Sequence, residues 1–318
     1  MTDQSTNSTA KSLFGTDTNP SHVMPAKLSL DSKIRFRCHP GVSCFTACCG
    51  NIDITLTPFD ILRLRKHLNI AAPEFLHQYT LPVYLEKTDM PGVKIKLTEE
   101  GRCPFVTPDG CTVYPSRPTT CRYYPVGMAN FHERPEGKEE EAIDQQFFFL
   151  IKEPHCKGHE EDKGWTIREW RQDQGVDVCD EMNKEWMALV MRRKSFGPQA
   201  TLSEKAQRMF FMTSTDLDQF RRFIFESSFL DTYLVDPEIL ERIRTDDIEL
   251  MKFSFRYLAS SLFGTQDLAI RPEKIKAKAE EIKMKQGEVE KNADSTFMEL
   301  KEIRDNMLAE MQTRKKKE

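Results

Sequence analysis

The residues of this sequence best suited to chemistry are its cysteines. The chain has 318 residues and nine cysteines, eight of which fall between Cys38 and Cys156, while Cys179 lies apart. Thiolate sulfur is a soft ligand that binds zinc, iron and iron–sulfur clusters and binds Mg²⁺ or Ca²⁺ poorly. A structural zinc ion and a common iron–sulfur cluster each use four such ligands. The eight clustered cysteines therefore match two four-ligand sites, or one site together with a redox-active remainder.

The spacing of these cysteines excludes several familiar sites. The sequence reads Cys38-x5-Cys44-x3-Cys48-Cys49, then Cys103-x7-Cys111-x9-Cys121, and finally Cys156. It contains no Cys-x2-Cys, which zinc ribbons, thioredoxin-type dithiols and bacterial ferredoxins use. The Cys-x3-Cys-x2-Cys motif of radical-generating S-adenosylmethionine enzymes is also absent, because Cys49 follows Cys48 directly. Neighbouring side chains diverge in most backbone conformations, so Cys48 and Cys49 are expected to serve different metals or a shared binuclear centre.

Charged and aromatic residues accompany the cysteines. Eight thiolates with two divalent ions would keep a charge of about −4, which is costly to bury uncompensated. Three arginines beside cluster cysteines are expected to hydrogen-bond the sulfurs: Arg102, Arg117 and Arg122. Three histidines could replace a thiolate but are expected to be neighbours rather than ligands: His39, His155 and His159. Three tyrosines are expected to pack around the cluster: Tyr114, Tyr123 and Tyr124. Cys179 is expected to be a semi-buried thiol.

The elements that must position the cysteines are short. A helix is predicted from Pro58, with Thr57 as its cap, and a second from Ala72. Alternating residues predict a strand over 93–97, and 147–151 is a candidate buried strand. The turn sequence Pro108-Asp109-Gly110 predicts a hairpin that brings Cys103 and Cys111 towards each other.

After Gly164 helical periodicity dominates. Thr166 and Glu169 form a predicted capping box. Further helices are predicted over 180–194, 203–212, 216–226, 237–244 and 247–263, with Gly264 as a stop and a phenylalanine-rich core. We therefore predict an α+β protein: a flexible leader (1–32), a small irregular Cys-rich metal-binding domain with short helices and a β-hairpin (33–160), a mainly α-helical region (161–270) and a charged C-terminal helix (271–318).

The composition argues against membrane and nucleic-acid binding. The net charge is −4, with 39% hydrophobic and 30% charged residues. The first residues lack the basic patch and apolar core of a secretory signal, and no stretch approaches the ~20 apolar residues that span a bilayer. A cytosolic protein with reduced thiols is therefore expected. The charged segment 271–318 is a candidate binding site for an unknown protein partner.

Several motifs together resemble the YkgJ-type cysteine cluster family, described as zinc- or iron-chelating. They are Phe36-Arg-Cys38, Cys44-Phe-Thr-Ala-Cys48-Cys49, Ile54–Asp60, Gly101-Arg-Cys103-Pro-Phe, Gly110-Cys111-Thr-Val-Tyr114 and Arg117-Pro118-x-x-Cys121-Arg122. The resemblance covers about residues 34–160. It implies eight metal ligands: Cys38, Cys44, Cys48, Cys49, Cys103, Cys111, Cys121 and Cys156. The wide Cys38-x5-Cys44 spacing is also similar to flagellin lysine-N-methylases.

Two main functions remain open from the sequence, beside an interaction protein whose metal would only replace a hydrophobic core. The first is a metal-binding protein with an all-cysteine centre, structural or redox-active. The chain lacks zinc-knuckle spacing, and its pair Cys103-Pro104 is similar to the Cys-Pro that follows ferredoxin cluster ligands. Both features favour an iron–sulfur cluster or iron, with zinc as the alternative. The second is a metal-dependent enzyme, either an oxidoreductase or a protein lysine methylase. No glycine-rich nucleotide fingerprint, H-E-x-x-H or Ser/His/Asp motif supports it, so catalytic and other cofactor-binding residues are unknown.

Overall fold

The computed structural model describes residues 22–23, 27–85, 90–133, 143–197, 201–276 and 280. Their architecture is α+β, as predicted, with short strands in small antiparallel sheets and most helices in the C-terminal half. The strands are β1 (His22–Val23), β2 (Lys33–Arg35), β3 (Thr80–Leu85), β4 (Met90–Ile95), β5 (Val106–Thr107), β6 (Gly110–Cys111), β7 (Val126–Glu133), β8 (Ile143–Lys152), β9 (Gly164–Thr166), β10 (Tyr233–Leu234) and β11 (Ala269–Ile270).

The described part of the chain contains ten named α-helices, besides the short helical segment 272–276. They are α1 (Pro58–Leu68), α2 (Ala72–Tyr79), α3 (Thr119–Tyr123), α4 (Ile167–Gln174), α5 (Val176–Ser195), α6 (Glu204–Thr215), α7 (Leu217–Glu226), α8 (Phe229–Thr232), α9 (Pro237–Thr245) and α10 (Asp247–Phe263). Short 3₁₀ turns occur at Ala47–Cys49, Tyr114–Ser116 and Gly158–Glu160. Among these helices none is long and apolar enough to cross a bilayer.

The strands pair in a simple antiparallel pattern. One sheet has the order β1-β8-β7, and the remaining pairs are β2-β9, β3-β4, β5-β6 and β10-β11. The hairpin predicted around Pro108-Asp109-Gly110 is confirmed, with Val106 opposite Cys111. The predicted strand 93–97 is shifted to Met90–Ile95, where it pairs with β3. The candidate buried strand at 147–151 lies within β8, where Phe148 is buried and Phe147 and Phe149, on the alternate face, are partly covered.

The predicted helix starts at Thr57 and Thr166 are confirmed, whereas the helix predicted over 180–194 begins earlier, at Val176. Thr57 and Asp60 form a reciprocal capping box at α1, and Thr166 with Glu169 does the same at α4. Helix α10 ends at Gly264, whose φ of 65° is left-handed and therefore favours glycine at this stop. Cap geometry depends on residues a few positions apart, which is why the sequence indicated it correctly.

Three hydrophobic clusters stabilise the fold. The helical cluster contains Phe210, Phe220, Phe253 and Phe255, as the phenylalanine-rich core predicted, and also Phe59 and Leu62 of α1. The hairpin cluster lies beside three cysteines and includes Leu64, Phe75, Val93, Phe105 and Val113. The third cluster joins β2 and β8 to α4 through Ile34, Phe36, Phe148, Ile167 and Trp170. Because β9 pairs with β2 and α4 packs on it, the packing continues past the domain boundary predicted at residue 160.

An ion-pair network joins the cysteine-rich part to the helical region. Arg65 of α1, whose side chain is 10% exposed, lies 3.0 Å from Asp247 and 3.4 Å from Asp218. Lys66 also contacts Asp247 at 3.0 Å, and Arg221 of α7 binds the same carboxylate. This network therefore fixes α1 against α7 and α10.

The two ends of the chain are described only in part. Leu28 exchanges two backbone hydrogen bonds with Phe148, at 2.8 and 2.9 Å, so the fold already includes this part of the expected leader (1–32). Residues 1–21 and 24–26 lie outside the described residues. Residues 272–276 are helical, and nearly all the rest of the predicted charged helix lies outside the described residues.

Candidate metal centre

All eight clustered cysteines lie in the described residues, as free thiols. They divide into two neighbouring groups according to which thiols influence one another electrostatically. We call the first the outer group: Cys38, Cys44, Cys48 and Cys156. We call the second the inner group: Cys49, Cys103, Cys111 and Cys121. The first four cysteines of the chain are thus divided: Cys38, Cys44 and Cys48 belong to the outer group and Cys49 to the inner group.

The outer group combines three early cysteines, Cys38, Cys44 and Cys48, with the last cysteine of the set, Cys156. Desolvation of its sulfur, followed by the charges of Cys48, Cys44 and Cys156, raises the pKa of Cys38 to about 11. Desolvation also raises the pKa of Cys156, and the charges of Cys44 and Cys48 add to this effect. Cys156 is therefore a neighbour of thiols more than a hundred positions earlier in the chain.

The inner group is assembled around the hairpin and α3. Desolvation raises the pKa of Cys121 to about 12, and the nearby charges of Cys103 and Cys111 contribute in the same direction. Desolvation also raises the pKa of Cys103 and of Cys111. All three residues pack against the hairpin cluster of apolar side chains. Their thiols consequently sit beside an apolar core, where uncompensated thiolate charge is unfavourable.

Cys48 and Cys49 connect the two groups. Hydrogen bonding between their thiols is the largest influence on both: it raises the pKa of Cys48 well above its usual range and lowers the pKa of Cys49. The two thiols are therefore close enough to influence each other, although Cys48 belongs to the outer group and Cys49 to the inner group. The tight Ala47–Cys49 turn, preceded by Thr46 with a left-handed φ of 63°, produces this geometry.

The inner cysteines are positioned by long-range backbone contacts. The Cys103 amide donates to the Cys49 carbonyl at 2.8 Å, and Gly50 forms an isolated bridge with Arg102. The backbone amide of Phe105 hydrogen-bonds the Cys103 sulfur, and that of Val113 bonds the Cys111 sulfur, which lowers the pKa of each thiol against the effect of desolvation. Amide donors aimed at sulfur stabilise thiolates, the form in which cysteine binds metals.

Asp60 positions Cys121 through α3. This carboxylate is almost fully buried. One oxygen accepts from the Thr57 amide at 3.1 Å, and the other accepts from the Thr119 amide at 2.8 Å and its hydroxyl at 2.7 Å. Asp60 therefore caps both α1 and the short helix that carries Cys121. The sequence had indicated only its role at the start of α1.

The outer cysteines receive amide donors from the Cys156 turn. The Lys157 amide donates to the Cys44 sulfur at 3.1 Å, and the Gly158 amide bonds the Cys156 sulfur. The Tyr124 hydroxyl is buried without a conventional oxygen or nitrogen partner and lies beside the Cys156 thiol. Desolvation and this thiol together raise the pKa of Tyr124. The packing of Tyr124 beside the cluster agrees with the prediction.

Arg102 and Arg117 lie near the cysteines, but the predicted hydrogen bonds to sulfur are not what they form: Arg102 donates to the Thr46 hydroxyl and Arg117 to the Gln174 side chain, so both act on the thiols through charge. The charge of Arg102 lowers the pKa of Cys48 and Cys103, and the charge of Arg117 does so for Cys38, Cys111 and Cys121. Arg122 is different, because its guanidinium donates to the backbone carbonyls of Pro115, Arg117 and Gln174. The expectation that Arg122 bonds cluster sulfurs is therefore wrong; it fixes the loop that precedes α3.

The histidines and other tyrosines predicted beside the cluster, together with Cys179, contact other parts of the protein or solvent. His39 Nε2 lies 3.0 Å from Glu161, His159 Nε2 lies 3.1 Å from the Ile151 carbonyl, and His155 is exposed. Tyr123 donates to Asp180 at 2.5 Å, while Tyr114 is exposed beneath the guanidinium of Arg117. Cys179 is fully buried, beyond the predicted semi-buried state, and its sulfur accepts from Arg63 at 3.4 Å.

The donor chemistry fits a thiophilic metal. Soft sulfur ligands, backbone amides directed at them and two nearby guanidinium groups are the features that stabilise metal thiolates. Within the described ranges, however, no three Cys, His, Asp or Glu side chains converge closely enough to hold an ion as they stand. The thiols are thus grouped as neighbours, and metal binding would draw each group together.

Comparison with protein-family models gives a match to the cysteine-rich part of the chain. No curated protein and no solved structure shows significant similarity to the chain. The family model that matches is named after a CxxCxxCC motif. In this chain the corresponding cysteines are spaced differently, with five residues between Cys38 and Cys44 and three between Cys44 and Cys48. Residues 37–157 match the model of this CxxCxxCC family, described as a "putative zinc- or iron-chelating domain", which confirms the predicted resemblance to a cysteine-cluster family and supports a metal-binding role.

Proposed function

We propose that the protein binds zinc or iron, the latter as ions or iron–sulfur clusters, through the inner and outer cysteine groups, in a reducing compartment such as the cytosol. The observation that carries the proposal is the division of eight thiols into two sets of four, each with amide donors at its sulfurs. Four thiolates are the complete ligand set of a closed structural zinc site and of common iron–sulfur clusters.

Charge balance supports occupation of both groups. Eight thiolates without metal would repel one another, and desolvation already raises the pKa of Cys38, Cys103, Cys111, Cys121 and Cys156. Two divalent ions would neutralise half of this charge, and Arg102 and Arg117 lie where they reduce the remainder. The pair Cys103-Pro104 and the absence of zinc-knuckle spacing favour iron–sulfur over zinc.

The division predicts that the two groups lose metal separately. Cys111→Ser removes one inner ligand, and Cys156→Ser removes one outer ligand. Each variant is expected to retain about half of the wild-type metal, because a site that loses one of four thiolates binds a soft metal far more weakly. Metal content by elemental analysis and acid-labile sulfide, after anaerobic purification, measures this loss.

The control is Cys179→Ser, which changes a buried thiol outside both groups. It is expected to keep the full metal content. If either cluster variant retained full metal content, the corresponding cysteine would not be a ligand. If every cluster variant lost all metal at once while remaining folded by circular dichroism, two separable sites would be wrong and one shared centre would replace them.

A further inference from the structure

The two cysteine groups differ in their access to solvent. In the outer group Cys38 and Cys48 are exposed, and Cys44 and Cys156 are half-buried. All four inner cysteines are half-buried, and Cys103, Cys111 and Cys121 also pack against the hairpin cluster. In the outer group Cys38 and Cys48 are therefore open to solvent as residues, while Cys156 packs against the third cluster; three of the four inner cysteines are covered on one side by the hairpin cluster.

Three of the inner cysteines also differ from Cys44 and Cys48 in the backbone that carries them, whereas inner Cys49 shares the Ala47–Cys49 turn with Cys48. Cys111 lies in a strand, Cys121 in a helix capped by Asp60, and Cys103 is tied to Cys49 by a backbone hydrogen bond. Outer Cys44 and Cys48 lie in a loop closed by backbone hydrogen bonds between residues three positions apart. In these bonds the amides of Val42, Phe45 and Ala47 donate to the carbonyls of His39, Val42 and Cys44, respectively. Local turns resist rearrangement less than long-range pairing, since they open without disrupting the core.

From these two differences, and resting on the proposed function, we infer that the outer group is the exchangeable metal site and that the inner group is a permanent structural site. The outer group would take up or release a thiophilic cation in exchange with a sulfur or nitrogen chelator. No electrons move in this step: the chelator takes the ion as the cysteines release it, and solvent protons return to the freed thiolates.

Release of zinc from the full chain tests this inference. The protein is loaded anaerobically with Zn²⁺, and a chromophoric chelator in excess then records release with time. Release is expected in two phases of equal amplitude, with the fast phase at least about tenfold faster than the slow one. A tenfold difference is the size of effect that groups around metal ligands typically have on metal affinity. A second measurement, brief alkylation of the zinc-loaded protein followed by mass spectrometry, is expected to modify Cys38 and Cys48 before any inner cysteine.

Variants assign the phases. Cys38→Ser is expected to abolish the fast phase and leave the slow phase unchanged, whereas Ser43→Ala, an exposed change in the same loop, keeps both. Cys111→Ser is expected to remove the slow phase.

Equal release rates in the wild type, or loss of the fast phase in Cys111→Ser with its retention in Cys38→Ser, would overturn the inference while leaving two-site binding intact. Wild-type protein that binds fewer than two zinc ions, and also takes up no iron or acid-labile sulfide when these are supplied, would overturn the proposed function, and the inference with it.

Discussion

Replacing Asp60 with alanine is expected to lower the free energy of unfolding by about 3 kcal/mol, because a buried carboxylate that satisfies two helix starts is lost. The Thr57 amide and the Thr119 amide and hydroxyl would each lose their acceptor. Since α3 carries Cys121, the inner group is also expected to bind less metal. Urea denaturation monitored by circular dichroism measures the first effect, and metal analysis measures the second.

Asp53→Ala is the matched control. Asp53 is an exposed carboxylate paired only loosely with Lys94, at 3.3 Å, and its removal is expected to change the free energy of unfolding by no more than about 0.5 kcal/mol. An Asp60→Ala variant as stable as Asp53→Ala would show that the double cap contributes nothing. If Asp60→Ala were destabilised but kept full metal content, Asp60 would stabilise the fold without positioning Cys121.

Replacing Asp247 with asparagine is expected to lower the free energy of unfolding at pH 7 by about 3 kcal/mol. The change keeps the size of the side chain but removes the charge that Arg65, Lys66 and Arg221 share. Removing one partner of a buried ion network leaves the others without compensation, and such losses are typically about 3–5 kcal/mol. Arg65 keeps Asp218 at 3.4 Å, so we expect the lower end of that range.

The same variant has a defined pH dependence. Burial alone would raise the pKa of Asp247, but hydrogen bonds from Arg221 and Lys66 and the charge of Arg65 outweigh burial and lower it. A lowered pKa contributes stability above the unfolded value, about pH 4, which disappears as the pH falls through the folded value. The difference between wild type and Asp247→Asn is therefore expected to be constant from pH 5 to 8, within ordinary error, and to shrink below about pH 4.

Asp231→Asn, a change at an exposed carboxylate of α8, is expected to show neither effect. Denaturant unfolding at a series of pH values compares the three proteins. A destabilisation by Asp247→Asn that stayed constant down to pH 3 would contradict an electrostatic origin.

Local features of this fold were predictable because the responsible residues are close in sequence. Thr57 with Asp60 and Thr166 with Glu169 are three positions apart, and Gly264 ends the helix that it follows. The turn of the Cys103–Cys111 hairpin likewise depends on adjacent residues. Such signals act through backbone hydrogen bonds within one turn, and tertiary contacts did not override them.

The arrangement of the predicted cysteines could not be read from the sequence. Which cysteines share a group depends on tertiary contacts such as Lys157 to Cys44, 113 positions apart. The second cap made by Asp60 joins residues 59 positions apart, and the Arg65–Asp247 pair joins residues 182 positions apart. For Arg122 the sequence was misleading. Because this residue follows Cys121, a sulfur partner was predicted, but its guanidinium donates instead to the backbone carbonyls of Pro115 and Arg117 in the preceding loop and of Gln174.

The central claim is that the cysteine groups bind two soft metal centres, and metal analysis of the full chain after anaerobic purification tests it most directly. Zinc, iron and acid-labile sulfide are measured together on the same sample. The account predicts two zinc ions per chain, or iron with matching sulfide in an amount that fills both groups. A chain that carries neither metal, and takes up neither when both are supplied anaerobically, would contradict it.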